Sequence, residues 1–255
     1  MQIRVLGPLE VSQNGISIAP KTRKPRQILA LLALRGDQLV PTATLMEEIW
    51  GDRPPRSAAT TLQTYIMQLR ARIAATGEAP KDVLATWQNG YLLRVRPDRS
   101  DVCEFETLAA AGSKALTAGD HPAAASLLSK ALAAWCGPAL VDVSLGRVLG
   151  LEVDCLEEAR LLAVEQRIGA DLSLGRHQQL LPELRMLVAD QPMQENFRAH
   201  YMLALHRAGC TWRALAEYQA LRGTLVHELG IEPSDRLQRL QQAILCDSPE
   251  LAMAL

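Results

Sequence analysis

The stretch SAATTLQTYIMQLRARIAA, residues 57–75, decides how the first part of the chain is read. At 100° of turn per residue, Leu62, Ile66, Leu69 and Ile73 fall on one narrow apolar stripe, so the segment is an amphipathic helix. The opposite side carries Ser57, Thr60, Thr64, Met67 and Ala71, with Gln63, Gln68, Arg70 and Arg72 on the flanks. No residue of the segment is acidic. A helix that only faces water usually mixes Glu with Lys. Hydroxyls, amides and guanidinium groups without a carboxylate suit contact with a polyanion, whose phosphates repel acidic side chains and accept hydrogen bonds.

The neighbouring residues supply a setting for that helix. IRVLG (3–7), LEVSQ (9–13) and ISIAP (16–20) are strand-like, and Asn14-Gly15, which tolerates positive φ, predicts a hairpin between the last two. KTRKPRQILALLALRGD (21–37) predicts a central core helix, with Pro25 near its first turn and Gly36 past its end. In VPTATLMEEIWGD (40–52), Thr44 and Glu47 have capping-box spacing, Leu45, Ile49 and Trp50 face inward, and Gly51 stops the helix. The prolines of GDRPPRS (51–57) hold a stiff loop before the opening helix. After Gly77 and Pro80, VLATWQNGYLLRV (83–95) predicts two strands around Asn89-Gly90. Small sheet, three helices and closing hairpin is the order of a winged helix-turn-helix of OmpR type, whose second motif helix lies in the major groove.

Charge divides the chain at the same place. Residues 1–96 carry a net +6 and residues 97–255 a net −7, hidden in a total of −1. A basic head on an acidic body predicts a polyanion-binding domain, 1–96, joined to a domain with another task, 97–255. Duplex DNA is the expected partner. Thr60, Thr64 and Gln68 are the candidates for base edges, with Thr61 and Tyr65 beside them, and Arg56, Arg70 and Arg72 for phosphates. Ser57 is expected to cap the helix start. Gln88, Asn89 and Gly90 form the expected wing, with Tyr91 behind it and Arg94 and Arg96 on the closing strand. Each cation has a plainer reading as a solvated face; Arg70 in particular could turn back to Glu47 or Glu48.

Beyond residue 97 the composition shifts to helix formers. Gly175 and Gly209 lie 34 residues apart, the period of tetratricopeptide helical hairpins, and Pro192 stands where such a repeat ends. Ala124, Leu128 and Ala131 follow Gly119 at the offsets at which Ala214, Tyr218 and Leu221 follow Gly209. Stacked helical pairs are expected. The fold class is therefore mainly α with a small β portion.

Chemistry is not expected. The chain has no phosphate loop, nucleophile elbow, zinc-protease or dinucleotide motif, and the carboxylates Glu152, Asp154, Glu157 and Glu158 of LEVDCLEEAR suggest a solvated helix face. Five scattered cysteines without a CxxC pair predict incidental or buried thiols, no disulfide framework and no metal. No cofactor is expected. MQIRVLGPLEV lacks the marks of a leader, and no run is apolar enough to span a membrane, so a cytoplasmic, nucleoid-associated protein is expected.

IRVLGPLEV, KPRQILALLALRGDQLVP, LMEEIWGDRPPRSAATTLQTYIMQLR and NGYLL in the first domain resemble the Streptomyces antibiotic regulatory proteins. So do DVCEFETLAAAG, ALAAWCGPAL, DLSLGRHQQLLPELRMLVADQP and AEYQALRGTLVHELGIEPSDRLQRLQQAIL in the second. The resemblance covers essentially the whole chain. It implies a bacterial transcriptional activation domain after the winged helix and an activator that binds tandem direct repeats overlapping the −35 promoter region. It also implies a head-to-tail dimer on DNA and recruitment of RNA polymerase through its sigma and alpha subunits, with the loop Gly51, Asp52, Arg53, Pro54, Pro55 touching polymerase. Family recognition helices are richer in exposed Arg, from which Thr60, Met67 and Gln68 depart. The alternatives are a helical-repeat adaptor whose winged module grips protein, and a repressor.

Overall fold

A computed structural model of the chain describes residues 1–248. Strands β1 (Gln2–Arg4), β2 (Glu10–Gln13) and β3 (Ile16–Ser17) form an antiparallel meander, with Ile3 opposite Val11. The β2–β3 turn has Asn14 and Gly15 at φ 51° and 77°, as Asn-Gly predicts. Helix α1 (Arg23–Leu34) buries every residue from Gln27 to Ala33 and is the core helix expected. A short β4 (Val40–Pro41) leads into α2 (Thr42–Trp50), then α3 (Ala58–Ala74), a single-turn α4 (Pro80–Val83), and the hairpin β5 (Leu84–Trp87) and β6 (Gly90–Leu93). The second sheet runs β4-β6-β5. This is the winged helix-turn-helix arrangement, with α1, α2 and α3 packed on one another.

Local details differ from the sequence expectation in three places. Helix α2 starts at Thr42 after Pro41, so Thr44 lies inside its first turn and makes no capping box with Glu47, which instead takes Arg147 Nε at 2.6 Å. Ser57 occupies the N-cap of α3, but its side chain makes no capping hydrogen bond. The wing turn is Gln88-Asn89, one residue earlier than Asn89-Gly90. Gly90 already pairs with Trp87, and it must be glycine because a Cβ there would lie 2.3 Å from the Val40 carbonyl oxygen.

Two compact units make up the molecule. The first comprises 1–110 and 130–162; the second comprises 111–129 and the residues from 163 onward. Three helices pass between them: α5 (Asp101–Thr117), α6 (His121–Leu132) and α7 (Arg147–Ser173). Backbone groups explain why the first unit extends so far. The Cys136 and Leu140 amides donate to the Leu6 and Val5 carbonyls at 2.7 and 3.0 Å, continuing beside the first sheet. Asp101 accepts the Val5 and Leu6 amides at 2.8 and 2.9 Å, and Asp142 accepts the Leu9 amide and pairs with Arg26. Burial raises the Asp101 carboxyl above the usual carboxylate range, although the Leu6 and Val5 amides pull it back. Phe105 meets Trp135 edge-on at 5.5 Å, with the Arg160 guanidinium 4.8 Å over the indole.

The strongest of these links is Glu48 on α2, only 3% exposed. Its carboxylate accepts the amides of Gly146, Val148 and Leu149 at 2.6, 3.0 and 2.9 Å, at the start of α7. The first N–H groups of a helix have no intrahelical acceptor and carry partial positive charge, so a buried carboxylate there satisfies them and is itself neutralised. Gly146 is required, since a Cβ would lie 2.2 Å from the Glu48 carbonyl oxygen. Of the carboxylates of LEVDCLEEAR, Asp154 and Glu158 are exposed as expected, but Glu152 takes Arg35 at 2.9 and 2.6 Å, and Glu157 takes the Ala139 amide at 2.9 Å.

In the second unit, α8 (His177–Asp190), α9 (Glu195–Arg207), α10 (Thr211–Leu229) and α11 (Asp235–Leu245) follow α7. Gly119, Gly175 and Gly209 all have φ between 76° and 79°, and each precedes a helix that begins two residues later. That shared geometry confirms the repeat, and the matched positions Ala124, Leu128, Ala131, Ala214, Tyr218 and Leu221 are all buried. Helix α8 packs on α9 and α9 on α10, with α11 against both α9 and α10. Replacing Glu48 by Ala leaves three helix-start amides without their acceptor. The expected loss is about 3 kcal/mol of unfolding free energy, read by urea denaturation of the full chain; a loss below about 1 kcal/mol contradicts the role given to this side chain.

Candidate nucleic-acid interface

The prolines of the loop keep 51–57 out of any helix, and all seven residues are exposed. Helix α3 then buries Ala58, Leu62, Ile66, Leu69 and Ile73, which fixes its orientation. Everything on the far side reaches solvent: Thr60, Gln63, Thr64, Gln68, Ala71 and Arg72 are exposed, and Met67 is 69% exposed. Thr61 and Tyr65 are half-buried along the edge. With no side chain closing the first turn, the amino end of the helix keeps its donor character toward an anion. The Thr64 hydroxyl donates to the Thr60 carbonyl at 3.1 Å, leaving its lone pairs free to accept.

The cations separate into two groups. Arg70 is half-buried: Nε and Nη2 donate to the Leu84 carbonyl at 3.1 and 2.7 Å, and Nη2 also to the Thr86 hydroxyl at 2.7 Å. It clamps α3 to the first strand of the wing and reaches neither Glu47 nor Glu48, whose oxygens serve α7. Arg26 is similarly occupied, donating to the Leu9 and Pro20 carbonyls and to Asp142. Arg96 pairs with Asp98 at 3.3 Å. Arg56, Arg72 and Arg94 are exposed, and Arg72 has only a 3.5 Å contact with the Ala19 carbonyl. Lys24 lies 5.1 Å over the half-buried Trp50 ring.

On the wing, Gln88 and Asn89 are exposed, while Gly90 and Tyr91 are buried. The Asn89 carbonyl accepts the Thr42 amide at 2.8 Å, fixing the turn against the start of α2. Trp87, at the tip and 57% exposed, is a surface residue that the sequence reading passed over. Its only signal was an aromatic next to a polar turn. The structure thus brings the exposed α3 face, the proline loop and the wing into one module.

Among the described residues there is no group of His, Cys, Asp or Glu suited to hold a metal, and no helix is long and apolar enough to cross a membrane. All five cysteines are free and none is fully buried.

Residues 18–93 match the family described as "Transcriptional regulatory protein, C terminal", and residues 100–245 match the "Bacterial transcriptional activator domain". The chain is similar to Regulatory protein DnrI of Streptomyces peucetius, 52% identical over 98% of this chain and 93% of that protein. It is 33% identical to Transcriptional regulator RedD of Streptomyces coelicolor, over 98% of this chain and 72% of that one. With Regulatory protein AfsR of Streptomyces griseus it shares 34% identity over 99% of its own length but only 25% of AfsR. A solved structure, Mycobacterium tuberculosis EmbR in complex with a low affinity phosphopeptide, superposes with a TM-score of 0.92 at 28% identity, over 99% of this chain and 67% of that one.

The division between clamping and exposed cations has a measurable consequence. Arg70→Met is expected to lower unfolding free energy by about 1–3 kcal/mol, since the part-buried Leu84 carbonyl loses a charged donor and the exposed Thr86 hydroxyl is released to water. Arg72→Ala should stay within about 0.5 kcal/mol of the parent. Equal losses in chemical denaturation contradict the division.

Proposed function

This chain belongs to the Streptomyces antibiotic regulatory protein family of DNA-binding transcriptional regulators, and on that premise we propose that it activates promoters by reading tandem direct repeats near the −35 element. It is a regulator, not an enzyme. The observation that carries the reading is the outer face of α3, exposed along its length, without a carboxylate, and flanked by a wing and a rigid loop.

On this reading, α3 enters the major groove. Thr60, Thr64 and Gln68 address base edges, Thr61 and Tyr65 line the edge of the contact, and Arg56 and Arg72 neutralise phosphates. Ser57 stands at the helix start, where free N–H groups receive a phosphate. Gln88, Asn89 and Arg94 follow the adjacent backbone, and Gly90 acts indirectly, by letting the wing lie close to β4. Arg70 serves the site by holding α3 on the wing and is not itself assigned to a phosphate. Repeats of one orientation require copies arranged head to tail, unlike a palindrome, which calls for a two-fold dimer.

The exposed loop Gly51, Asp52, Arg53, Pro54, Pro55 is the proposed docking point for RNA polymerase, through sigma and alpha subunits. Its two prolines keep it preorganised, which lowers the ordering cost of association. The chain spans nearly all of DnrI and most of RedD. That match supports a pathway-specific regulator of an antibiotic cluster, of the kind that controls actinorhodin biosynthesis.

Footprinting on the cluster's promoters, followed by transcription with purified polymerase, tests the whole reading. Replacing Pro54 and Pro55 by Gly is expected to leave the footprint within about threefold in affinity while reducing transcript tenfold or more. Loss of the footprint would assign the loop to the fold, and unchanged transcript would remove it from polymerase contact. A footprint that lowers transcription would make the protein a repressor.

A further inference from the structure

Helix α7 carries an uncovered apolar row in the part, up to residue 162, that belongs to the first unit. Leu149, Val153 and Leu156 are buried on its inner side. On the outer side Leu151 and Leu162 are 56% and 55% exposed, and Cys155 and Ala159 between them are exposed as well. At 100° per residue these four lie within about 80° of one another, and the two leucines stand three turns, about 16 Å, apart. A single exposed leucine needs no explanation, but a row of apolar side chains along one helix face has the shape that packs against another helix.

Charge selects the occupant. Asp154 and Glu158 are exposed along one edge of the row, and among the described residues neither has an ion-pair partner. The arginines that reach this stretch are already matched: Arg147 pairs with Glu47, Arg160 with Glu157 and Arg35 with Glu152. Two uncompensated negative charges therefore border the row. A second copy of the chain laid on it would bring four such carboxylates together, and an anionic membrane surface would be repelled in the same way. A helix with its own apolar stripe and Lys or Arg beside it answers both features.

We propose that this face of α7 docks a basic amphipathic helix of a partner protein. The partner's apolar side chains lie over Leu151 and Leu162 and enter the low ground of Cys155 and Ala159 between them, while its cations pair with Asp154 and Glu158. The surface lies on a different element from α3 and from the loop 51–55, and it does not rest on the DNA reading.

The test uses the full, reduced chain and the synthetic peptide acetyl-LKKLLKLLKKLLKL-amide, titrated calorimetrically. One saturable site is expected, weakening as salt rises. The same peptide with every Lys replaced by Glu should bind at least about tenfold more weakly. Leu151→Ser with Leu162→Ser, and separately Asp154→Lys with Glu158→Lys, should each weaken the basic peptide by about tenfold or more. All four side chains are exposed, so melting temperatures should stay at the parent value. A peptide with a thionitrobenzoate-activated Cys on its apolar face locates the site without any variant. It should label Cys155 about tenfold faster than the equally free and exposed Cys136 and Cys246, each rate taken relative to labelling by the activated amino acid alone. No saturable binding, binding indifferent to the peptide's charge, even labelling of the three thiols, or folded variants within about threefold of the parent would each overturn the proposal. So would a dimer of the chain itself, or binding to phosphatidylglycerol vesicles, that the paired leucine substitutions abolish.

Discussion

Glu48 joins segments a hundred residues apart through one buried carboxylate. A charge so far from water is tolerated only when its lone pairs are filled and its field is balanced. Three amides at the start of α7 do both, and Gln27 Nε2 approaches at 3.4 Å from α1. Because Glu48 sits on α2, the same bonds fix the helix that precedes the recognition segment. The first unit is therefore not a free-standing winged helix with a tail. Asp101 and the turn through Cys136 and Leu140 bond the backbone of Val5 and Leu6 just after β1, and Asp142 and Glu152 complete its arginines.

That architecture changes what the basic charge of the first ninety-six residues means. Arg26 and Arg35 answer acids from the 130–162 segment, and Arg70 is bound to a carbonyl and a hydroxyl of the wing strand. Three of the thirteen cations in those residues are therefore internal wiring, and in the proposed complex the field presented to a duplex comes from exposed groups such as Arg56, Arg72 and Arg94. On the proposed reading, that surface relies on the hydroxyls and amides of Thr60, Thr64 and Gln68, and on keeping carboxylates away.

Which parts were legible in the sequence follows from range. The α3 stripe, the Asn14-Gly15 turn and the Gly119, Gly175 and Gly209 repeat are local patterns, and each appears where periodicity and turn chemistry place it. The wing was off by one residue, because Gly90 is glycine for its approach to Val40 and not for turn torsions. Ser57 and the Thr44–Glu47 pair match cap spacing but make no cap, since Pro41 begins α2 earlier and Arg147 claims Glu47. Glu48, Arg70 and the return of 130–162 to the first unit were out of reach. Their partners are distant in sequence or are backbone groups, and a carboxylate on a helix looks the same whether it meets water or another helix's amides.

The most direct test of the recognition surface places a negative charge on it without disturbing the core. Gln68 is exposed on α3 and its side chain is not needed by any packed neighbour. Hydroxyl-radical footprinting of the Gln68→Glu chain on the promoter repeats, at matched salt and with melting temperature as control, reads the outcome. Protection that disappears from a folded protein is the expected result; protection retained at the parent's concentration would show that some other surface meets the DNA.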